Sequence, residues 1–512
     1  MCFAVPVEEV KELSKPPSGV DRTHRPMVLI ALILSMALAA IEGTVVATAM
    51  PSIAASLGGF SLFGWVFSAY LLTQAVVTPI FGKLADLYGR KPMITVGIVL
   101  FLLGSVLCGF ATSMPMLVVF RLIQGIGAGG VLPIAVTLAG DLYTIQERGK
   151  IQGYVASVWG ISSIVGPLLG GLIVDTVGWR WIFWMNVPLG LIAALLIRRF
   201  LHEEVAHRQR SIDFGGAVLL LAGLSSCMLA LTQASVWSPF PVAGLLLAGI
   251  AILFAFAWYE RRPADPILHL ELFKIPILRT GNLTILAAGL VMIGLISFLP
   301  TYVQAVHGRS PLIAGFTLSG MSLGWPIASV AAGRLLPRLG VRVLARAGAL
   351  FALAGATMIA LVASFGPLAA GCGAFVAGLG FGFLNTTFLV AIQSSVPWTQ
   401  RGVATAGNML MRSIGNALGA AVLGGVLNFT LTDYLGRRQL ANEVSLDTVR
   451  DLISGHSALS DEVLSQLQVG LSGSIHLVFW IIVGFALLTL LLAWNAAEIA
   501  SSPAAADNES AA

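Results

Sequence analysis

The amino-acid sequence predicts an all-α membrane protein with fourteen transmembrane helices. Its 512 residues are 57% hydrophobic and only 10% charged, whereas soluble domains carry about 25% charged residues. The mean hydropathy is +0.90. Apolar runs recur along nearly the whole chain, and each is close to the roughly 20 residues that a helix needs to cross the hydrocarbon layer. An even number of spans places both termini on one side.

The predicted spans follow one another with mostly short polar connections. They cover residues 27–50, 62–82, 92–112, 115–140, 150–174, 179–200, 212–232, 240–259, 278–304, 311–333, 342–364, 367–394, 402–428 and 473–495. The longest connection, residues 431–472, is predicted to be an outer loop with short surface helices at 441–455 and 460–468. Residues 1–26 are polar and lack a small-residue cleavage site, so the first span is expected to be retained.

The basic residues orient these spans. Of the 29 Lys and Arg residues, 22 fall in the N-terminal tail and the alternate connections that share its side, five lie on the other side, and two lie within spans. Because cytoplasmic loops are enriched in Lys and Arg, both termini are predicted to be cytoplasmic, in a cytoplasmic (inner) membrane. The net charge of +5 therefore does not indicate nucleic-acid binding.

An internal repeat divides the chain. The string GKLADLYGRK begins at Gly82, and a related string, GRLLPRLGVR, begins at Gly333, 251 residues later. The first and ninth spans start at the same offset. We therefore predict two pseudo-symmetric six-helix halves, residues 27–200 and 278–495, separated by two inserted helices and their linkers in residues 201–277. Residues 496–512 form a C-terminal tail. Parallel repeats of this kind build transporters, although the repeat alone fits any duplicated membrane protein.

The four cysteines and seven histidines are scattered without ligand spacing. The sequence therefore predicts no disulfide framework, no metal site and no cofactor. It also indicates no catalytic residue, so an enzyme is not expected.

The first span carries one carboxylate, Glu42, about two-thirds of the way along its length. A charged side chain at mid-span costs about 2.5–3.5 kcal/mol on insertion scales, and such residues are proton or substrate sites by default. A structural, hydrogen-bonded Glu is the alternative. Arg121 in the fourth span lies about 9 Å from the outer end, and Glu42 lies about 22 Å from the inner end of a path of about 30 Å. An ion pair or proton relay is therefore geometrically allowed, and a purely structural pair is the alternative.

The string GKLADLYGRKP, residues 82–92, ends the second span. Gly89 suits a helix C-cap. Asp86 opposes the macrodipole at a helix C-terminus, so Arg90 and a facing helix N-terminus are expected to offset its charge. A helix starting at Arg401–Gly402 in the second half would supply that N-terminus.

This string resembles the cytoplasmic signature of the major facilitator superfamily. The resemblance implies the major facilitator fold with 6+2+6 helices and a conformational latch made by Asp86, Arg90, Gly82 and Gly89. In that family the Asp holds the two halves in the outward-facing state. The second copy has Pro337 in place of the Asp, so it is not expected to act as a latch.

Further motifs resemble one particular family within that superfamily. The fifth span is similar to the superfamily's antiporter motif at Gly153, Gly166, Pro167, Gly170 and Gly171, with Ser162 in place of one glycine. The string WRWIFWMNVPLG, residues 179–190, resembles the fourteen-helix drug:proton antiporters. Three other stretches resemble the same family, namely residues 41–51 (IEGTVVATAMP), Asp265-Pro266 and residues 401–419. That family usually has Asp in place of Glu42. In the superfamily the antiporter motif marks exporters.

Polar residues within other spans are candidates for the substrate cavity. The second half has several (Asn385, Gln393, Asn408, Arg412 and Asn416), most of which are expected to bridge helices by hydrogen bonds. Arg412 has no acidic residue in a nearby span, so backbone carbonyls or a substrate anion are its expected partners. The cavity candidates are Gln124, Trp159, Asn385, Asn408 and Arg412.

The resemblance implies a proton-coupled antiporter that exports small hydrophobic or cationic compounds by alternating access, that is, multidrug efflux of the kind that confers antibiotic resistance. Its expected partners are the lipid bilayer, protons and a small-molecule substrate, and it is expected to be a monomer. A dedicated exporter of an endogenous metabolite or siderophore is the alternative. A peptide:proton symporter is disfavoured, because its E-x-x-E-R cluster is absent from the first span. The coupling residues would be Glu42 and Arg121.

Overall fold

The computed structural model describes residues 23–58, 62–203, 213–233, 237–261, 270–309, 311–438 and 461–496, and every regular element in these ranges is helical. The helices, numbered in chain order, are α1 (Arg25–Leu57), α2 (Phe63–Tyr88), α3 (Arg90–Gly109), α4 (Met114–Leu142), α5 (Ile145–Thr176), α6 (Trp181–Trp184), α7 (Asn186–Phe200), α8 (Phe214–Gln233), α9 (Pro239–Tyr259), α10 (Pro276–Ala305), α11 (Pro311–Val362), α12 (Pro367–Ser394), α13 (Arg401–Arg437) and α14 (Asp461–Trp494). Short 3₁₀ helices cover Leu270–Lys274, Ala363–Phe365 and Trp398–Gln400.

The prediction of an all-helical membrane protein is confirmed. Among the described residues, twelve segments are long and apolar enough to cross a membrane. One of them, Ile313–Phe365, covers 53 residues and includes nearly all of the two predicted spans 311–333 and 342–364. The predicted span at 150–174 corresponds to α5, which is not among the twelve. Asp265-Pro266, most of both tails and residues 439–460 of the outer loop lie outside the described residues.

Helix α11 reverses direction at a glycine. Its 52 residues would extend about 78 Å at 1.5 Å per residue, far more than a bilayer's thickness. The chain turns at Gly340, whose φ of +74° favours glycine because other residues carry a clashing Cβ. Gly89, which separates α2 from α3, has φ +97° and lies 251 residues earlier. The sequence repeat therefore has a structural counterpart at its two turns.

The outer loop is shorter than predicted. Helix α13 continues to Arg437, and α14 begins at Asp461. Residues 461–468 therefore belong to α14, and the prediction of a separate surface helix at 460–468 is wrong. The reason is burial, since Leu467 and Leu471 are completely buried. Gly470 packs against the ring of Tyr434 near the end of α13.

Two large apolar cores organise the molecule. One joins α10 to α14, and the other joins α1 to α5 and α7. A smaller apolar cluster holds the inserted helix α8 against both halves, because Leu220 and Leu224 of α8 pack with Val76 of α2 and Leu410 of α13. The exact domain boundaries stay a prediction.

Candidate functional site

Glu42 lies in a closed ring of five buried side chains, which we call the core polar ring. Its Oε1 accepts a hydrogen bond from Arg121 Nη1 at 2.6 Å, and its Oε2 accepts one from Asn186 Nδ2 at 2.6 Å. Arg121 Nη1 also donates to Gln124 Oε1 at 2.7 Å. Gln124 Nε2 and Asn186 Nδ2 both donate to Ser105 Oγ, at 3.3 and 2.9 Å. All five side chains are at most 1% exposed.

The surroundings complete the hydrogen bonds of this ring. The Ser105 hydroxyl accepts two bonds and donates its own proton to the Phe183 carbonyl at 2.8 Å, so its bonding capacity is filled. Arg121 Nε donates to the Val66 carbonyl at 3.1 Å. The Arg121 guanidinium also lies 4.2 Å from the ring centre of Tyr70, a cation–π contact that supports a desolvated charge.

Helix geometry explains why these residues meet. Gly104 beside Ser105 packs directly on the backbone of Gln124, and a Cβ there would lie 2.5 Å from Gln124 Cα. This contact brings α3 and α4 close together. Asn186 begins α7 and reaches Glu42 on α1 at 2.6 Å. The arrangement holds one buried negative charge against one buried positive charge, and protonation of Glu42 would remove that charge pairing.

A second buried cluster joins the two halves where α2 ends, and we call it the junction cluster. Asp86 accepts hydrogen bonds from the backbone N–H groups of Gly402 at 3.0 Å and Val403 at 2.9 Å, the second and third residues of α13. A carboxylate at a helix N-terminus satisfies free N–H groups and complements the macrodipole. Arg90 Nη2 also contacts Asp86 at 3.0 Å. The facing N-terminus expected from the sequence lies at this position.

Arg90 and Arg401 extend this cluster across the junction. Arg90 Nε lies 2.8 Å from Asp141 Oδ2 of α4, and Arg401 Nη1 of α13 lies 3.1 Å from Asp141 Oδ1. Arg90 Nη2 donates to the Trp398 carbonyl at 2.9 Å, and its guanidinium stacks 3.7 Å from the Trp398 ring centre. Gly82 allows the close approach, because a Cβ there would lie 2.6 Å from Ala406 Cβ.

The glycines of α5 pack against α1 and α11. A Cβ at Gly166 would overlap the Thr44 side chain, and one at Gly170 would lie 3.1 Å from Thr48 Cβ. Gly153 contacts Val330 of α11 in the same way, whereas a Cβ at Gly171 would meet nothing within 4 Å. Pro167 lies in the same helix. Three of the four motif glycines therefore serve close helix contacts.

A pocket lies within the second half among α10 to α13. Its empty space is about 240 Å³ when the open mouth is included, with enclosed room for about one water molecule. Its lining residues are Ile285, Ala288, Gly289, Met292, Trp325, Phe381, Leu384, Asn385 and Arg412. Arg412 Nη1 donates to Asn385 Oδ1 at 3.3 Å. Within the described part of the chain, no carboxylate pairs with Arg412.

Comparison with known proteins identifies the family. The sequence model of the Major Facilitator Superfamily matches residues 32–420. The chain belongs to the major facilitator superfamily. It is therefore a membrane transporter of small molecules and not an enzyme.

Relatives and solved structures agree with this family. The chain is 34% identical to Multidrug resistance protein 3 of Bacillus subtilis over 91% of its own length and 93% of the relative's. It is also 34% identical to the Multidrug transporter protein MdtP of the same organism, over 80% and 76% of the two chains. Its fold is similar to that of the human organic anion transporter MFSD10, with a TM-score of 0.64 and 16% identity over 92% of this chain and 99% of the other.

Most of the predicted site residues of this transporter lie in the core polar ring, the junction cluster or the pocket. Glu42 and Arg121 meet in the core polar ring, and Asp86, Arg90 and Gly82 meet in the junction cluster, with Gly89 at its edge. The cavity candidates separate. Asn385 and Arg412 line the pocket and Trp159 is 45% exposed on α5, whereas Gln124 and Asn408 are buried. Gln124 belongs to the core polar ring, and Asn408 Nδ2 donates to Asn282 Oδ1 at 2.9 Å.

Several residues of these clusters were missed by sequence reasoning. Ser105, Asn186 and Tyr70 belong to the surroundings of Glu42, and Asp141 and Trp398 belong to the junction cluster. Asn186 lies in residues 179–190, which were used only for their resemblance to the antiporters. That resemblance was the one feature of the sequence that pointed to Asn186. Serine and asparagine residues within spans also serve to hydrogen-bond neighbouring helices, so their presence alone does not mark a site.

Proposed function

We propose that this transporter is a proton-coupled antiporter that exports small hydrophobic compounds by alternating access, with both termini in the cytoplasm. The observation that carries the proposal is the contact between Glu42 and Arg121 inside a fully buried ring. A buried ion pair is weak evidence for stability, since its desolvation cost offsets its Coulomb energy. A titratable acid held there is better explained as a functional group.

The core polar ring supplies the coupling step. When Glu42 is ionised, Arg121 and Asn186 both bond its carboxylate, and the ring favours one packing of α1, α4 and α7. When Glu42 takes up a proton, its carboxylate becomes neutral and the Coulomb attraction to Arg121 is lost, while Arg121 keeps its charge and its contacts to Gln124, Val66 and Tyr70. Only a difference in binding between two conformations shifts their equilibrium. Proton binding at Glu42 therefore shifts the molecule toward the inward-facing state.

The junction cluster supplies the second element of the cycle. Its bonds between Asp86 and the N-terminus of α13, and between Asp141 and Arg401, join the two halves at one end. They must break when the halves separate at that end. The junction cluster thus stabilises the state in which the two halves are closed at this end. The protonation of Glu42 in the core polar ring shifts the population of that state.

Transport in proteoliposomes with an imposed pH gradient tests the proposal, with a panel of fluorescent hydrophobic dyes as cargo. We expect Glu42→Gln to abolish gradient-driven dye transport, because the amide carries no titratable proton. Glu42→Asp should retain coupling, since it keeps a carboxyl group. The control is Glu271→Gln, which removes an exposed carboxylate whose side chain is 86% accessible. Full coupling in Glu42→Gln would refute the proposal.

A further inference from the structure

The pocket within the second half presents a cation that has no carboxylate partner among the described residues. Arg412 lies in α13, inside a helix of membrane-spanning length, and its Nη1 contact with the Asn385 amide at 3.3 Å is its one hydrogen bond in the described part of the protein. A guanidinium carries five N–H donors. A charge at membrane depth is costly, and such residues mark substrate or ion pathways by default.

The other walls of the pocket are apolar and aromatic. Trp325 and Phe381 lie with their ring centres 6.0 Å apart, and Ile285, Ala288 and Met292 form the α10 side. The site therefore combines one fixed positive charge with an aromatic wall. The enclosed part of the pocket, about 10 Å³, has room for about one water molecule, so the side chains that line it must move apart to admit an acidic group.

Chemical complementarity selects the ligand class. A guanidinium binds carboxylate and phosphate groups in a bidentate manner and repels cations. We propose that Arg412 and Asn385 bind the acidic group of the exported compound, so that the preferred cargo is an organic acid with an aromatic or apolar body. This inference rests on the proposed export function and specifies its substrate class. It departs from the cationic cargo that the family resemblance also allowed.

Equilibrium binding to the full chain in detergent tests the inference without any proton gradient. The probes are 2-naphthoate, its neutral amide and 2-naphthylmethylammonium, titrated by calorimetry at pH 8. Hydrogen bonds to charged groups are worth about 10- to 100-fold in affinity. We expect the acid to bind at least about 10-fold more tightly than either other probe. Equal affinity for acid and amide, or tighter binding of the ammonium compound, overturns the inference.

Two variants assign the preference to Arg412. Arg412→Gln should bind the acid and the amide equally. Asn385→Asp keeps the arginine but gives it an internal carboxylate, so it should lose acid binding while the fold gains an ion pair. Arg279→Gln, an exposed arginine in the first turn of α10, is the control and should keep the preference. Retention of acid preference in both pocket variants would refute the site.

This experiment separates the two proposals. Glu42→Gln should keep the preference for the acid over the amide, because Arg412 and Asn385 are unchanged in that variant. If Glu42→Gln loses gradient-driven transport but keeps the acid preference, the result supports both the antiport proposal and the inference about the cargo. Acid preference in a protein that transports without proton coupling would contradict the antiport proposal alone.

Discussion

Asn186 connects two other residues of the core polar ring, because its side-chain amide donates hydrogen bonds to both Glu42 and Ser105. We predict that Asn186→Leu destabilises the protein by about 1.5–3 kcal/mol, because a buried carboxylate loses a donor. The lost donor supports mainly the charged form of Glu42, so half-maximal coupled transport should move to higher pH. Thermal unfolding and the pH profile of dye transport measure these effects.

A matched amide in the other half serves as the control for that prediction. Asn282→Leu removes the partner of Asn408 at 2.9 Å and should also lower stability. It should leave the pH profile unchanged, because it contacts no titratable group of the ring. A pH profile that moves equally in both variants would contradict the role given to Asn186.

At the residue scale, the sequence predicted the charges and missed their neutral partners. Glu42 and Arg121 were predictable because each is a charge in an apolar span, and their estimated depths matched. Asn186 and Ser105 were not, because small polar residues within spans are common. Their roles depend on contacts across 144 and 81 residues of sequence, which local pattern does not reveal.

At the scale of helices, the contact between α1 and α5 depends on glycines. We predict that Gly166→Val lowers the melting temperature and the transport rate, because the new side chain overlaps Thr44; overpacking of this kind costs about 1–3 kcal/mol. Gly171→Val in the same helix meets open space and should leave the melting temperature unchanged. Equal destabilisation by both substitutions would show that helix propensity, not the contact, decides the effect.

The junction cluster gives a second prediction at this scale. Asp86→Asn should slow transport without abolishing cargo binding, because it removes the charge that complements the N-terminus of α13. Asp433→Asn, which affects an exposed ion pair with Arg437, is the control. Unchanged transport in Asp86→Asn would mean that the closed state does not need this carboxylate.

Helix boundaries could be predicted where the amino-acid composition changes. They could not be predicted where tertiary packing determines the end of a helix. The turn at Gly89 was expected from the sequence, and the facing N-terminus at Gly402 was inferred from the charge of Asp86. The early start of α14 was not predicted, because the buried residues Leu467 and Leu471 lie in a segment whose polar neighbours suggested a loop. Tertiary contacts overrode the local pattern there.

At the scale of the whole molecule, the repeat predicted the architecture better than it predicted the contacts between halves. Its offset of 251 residues recurs in the turns at Gly89 and Gly340. The placement of the inserted helix α8 against both α2 and α13 had no sequence signal. That contact uses apolar side chains such as Leu224, which look the same as lipid-facing ones in a sequence.

The central claim is that the charge of Glu42 decides whether the junction between the halves is closed. Electron–electron distance measurements between spin labels at Tyr88→Cys and Leu339→Cys, in a background without native cysteines, test it directly. Both positions are exposed at the ends of equivalent helices, at 47% and 45%.

We predict that lowering the pH lengthens this distance in the otherwise unmodified protein, because protonated Glu42 favours the open junction. Glu42→Gln should show the long distance at both low and high pH. A distance in Glu42→Gln that still responds to pH as the unmodified protein does would contradict the claim.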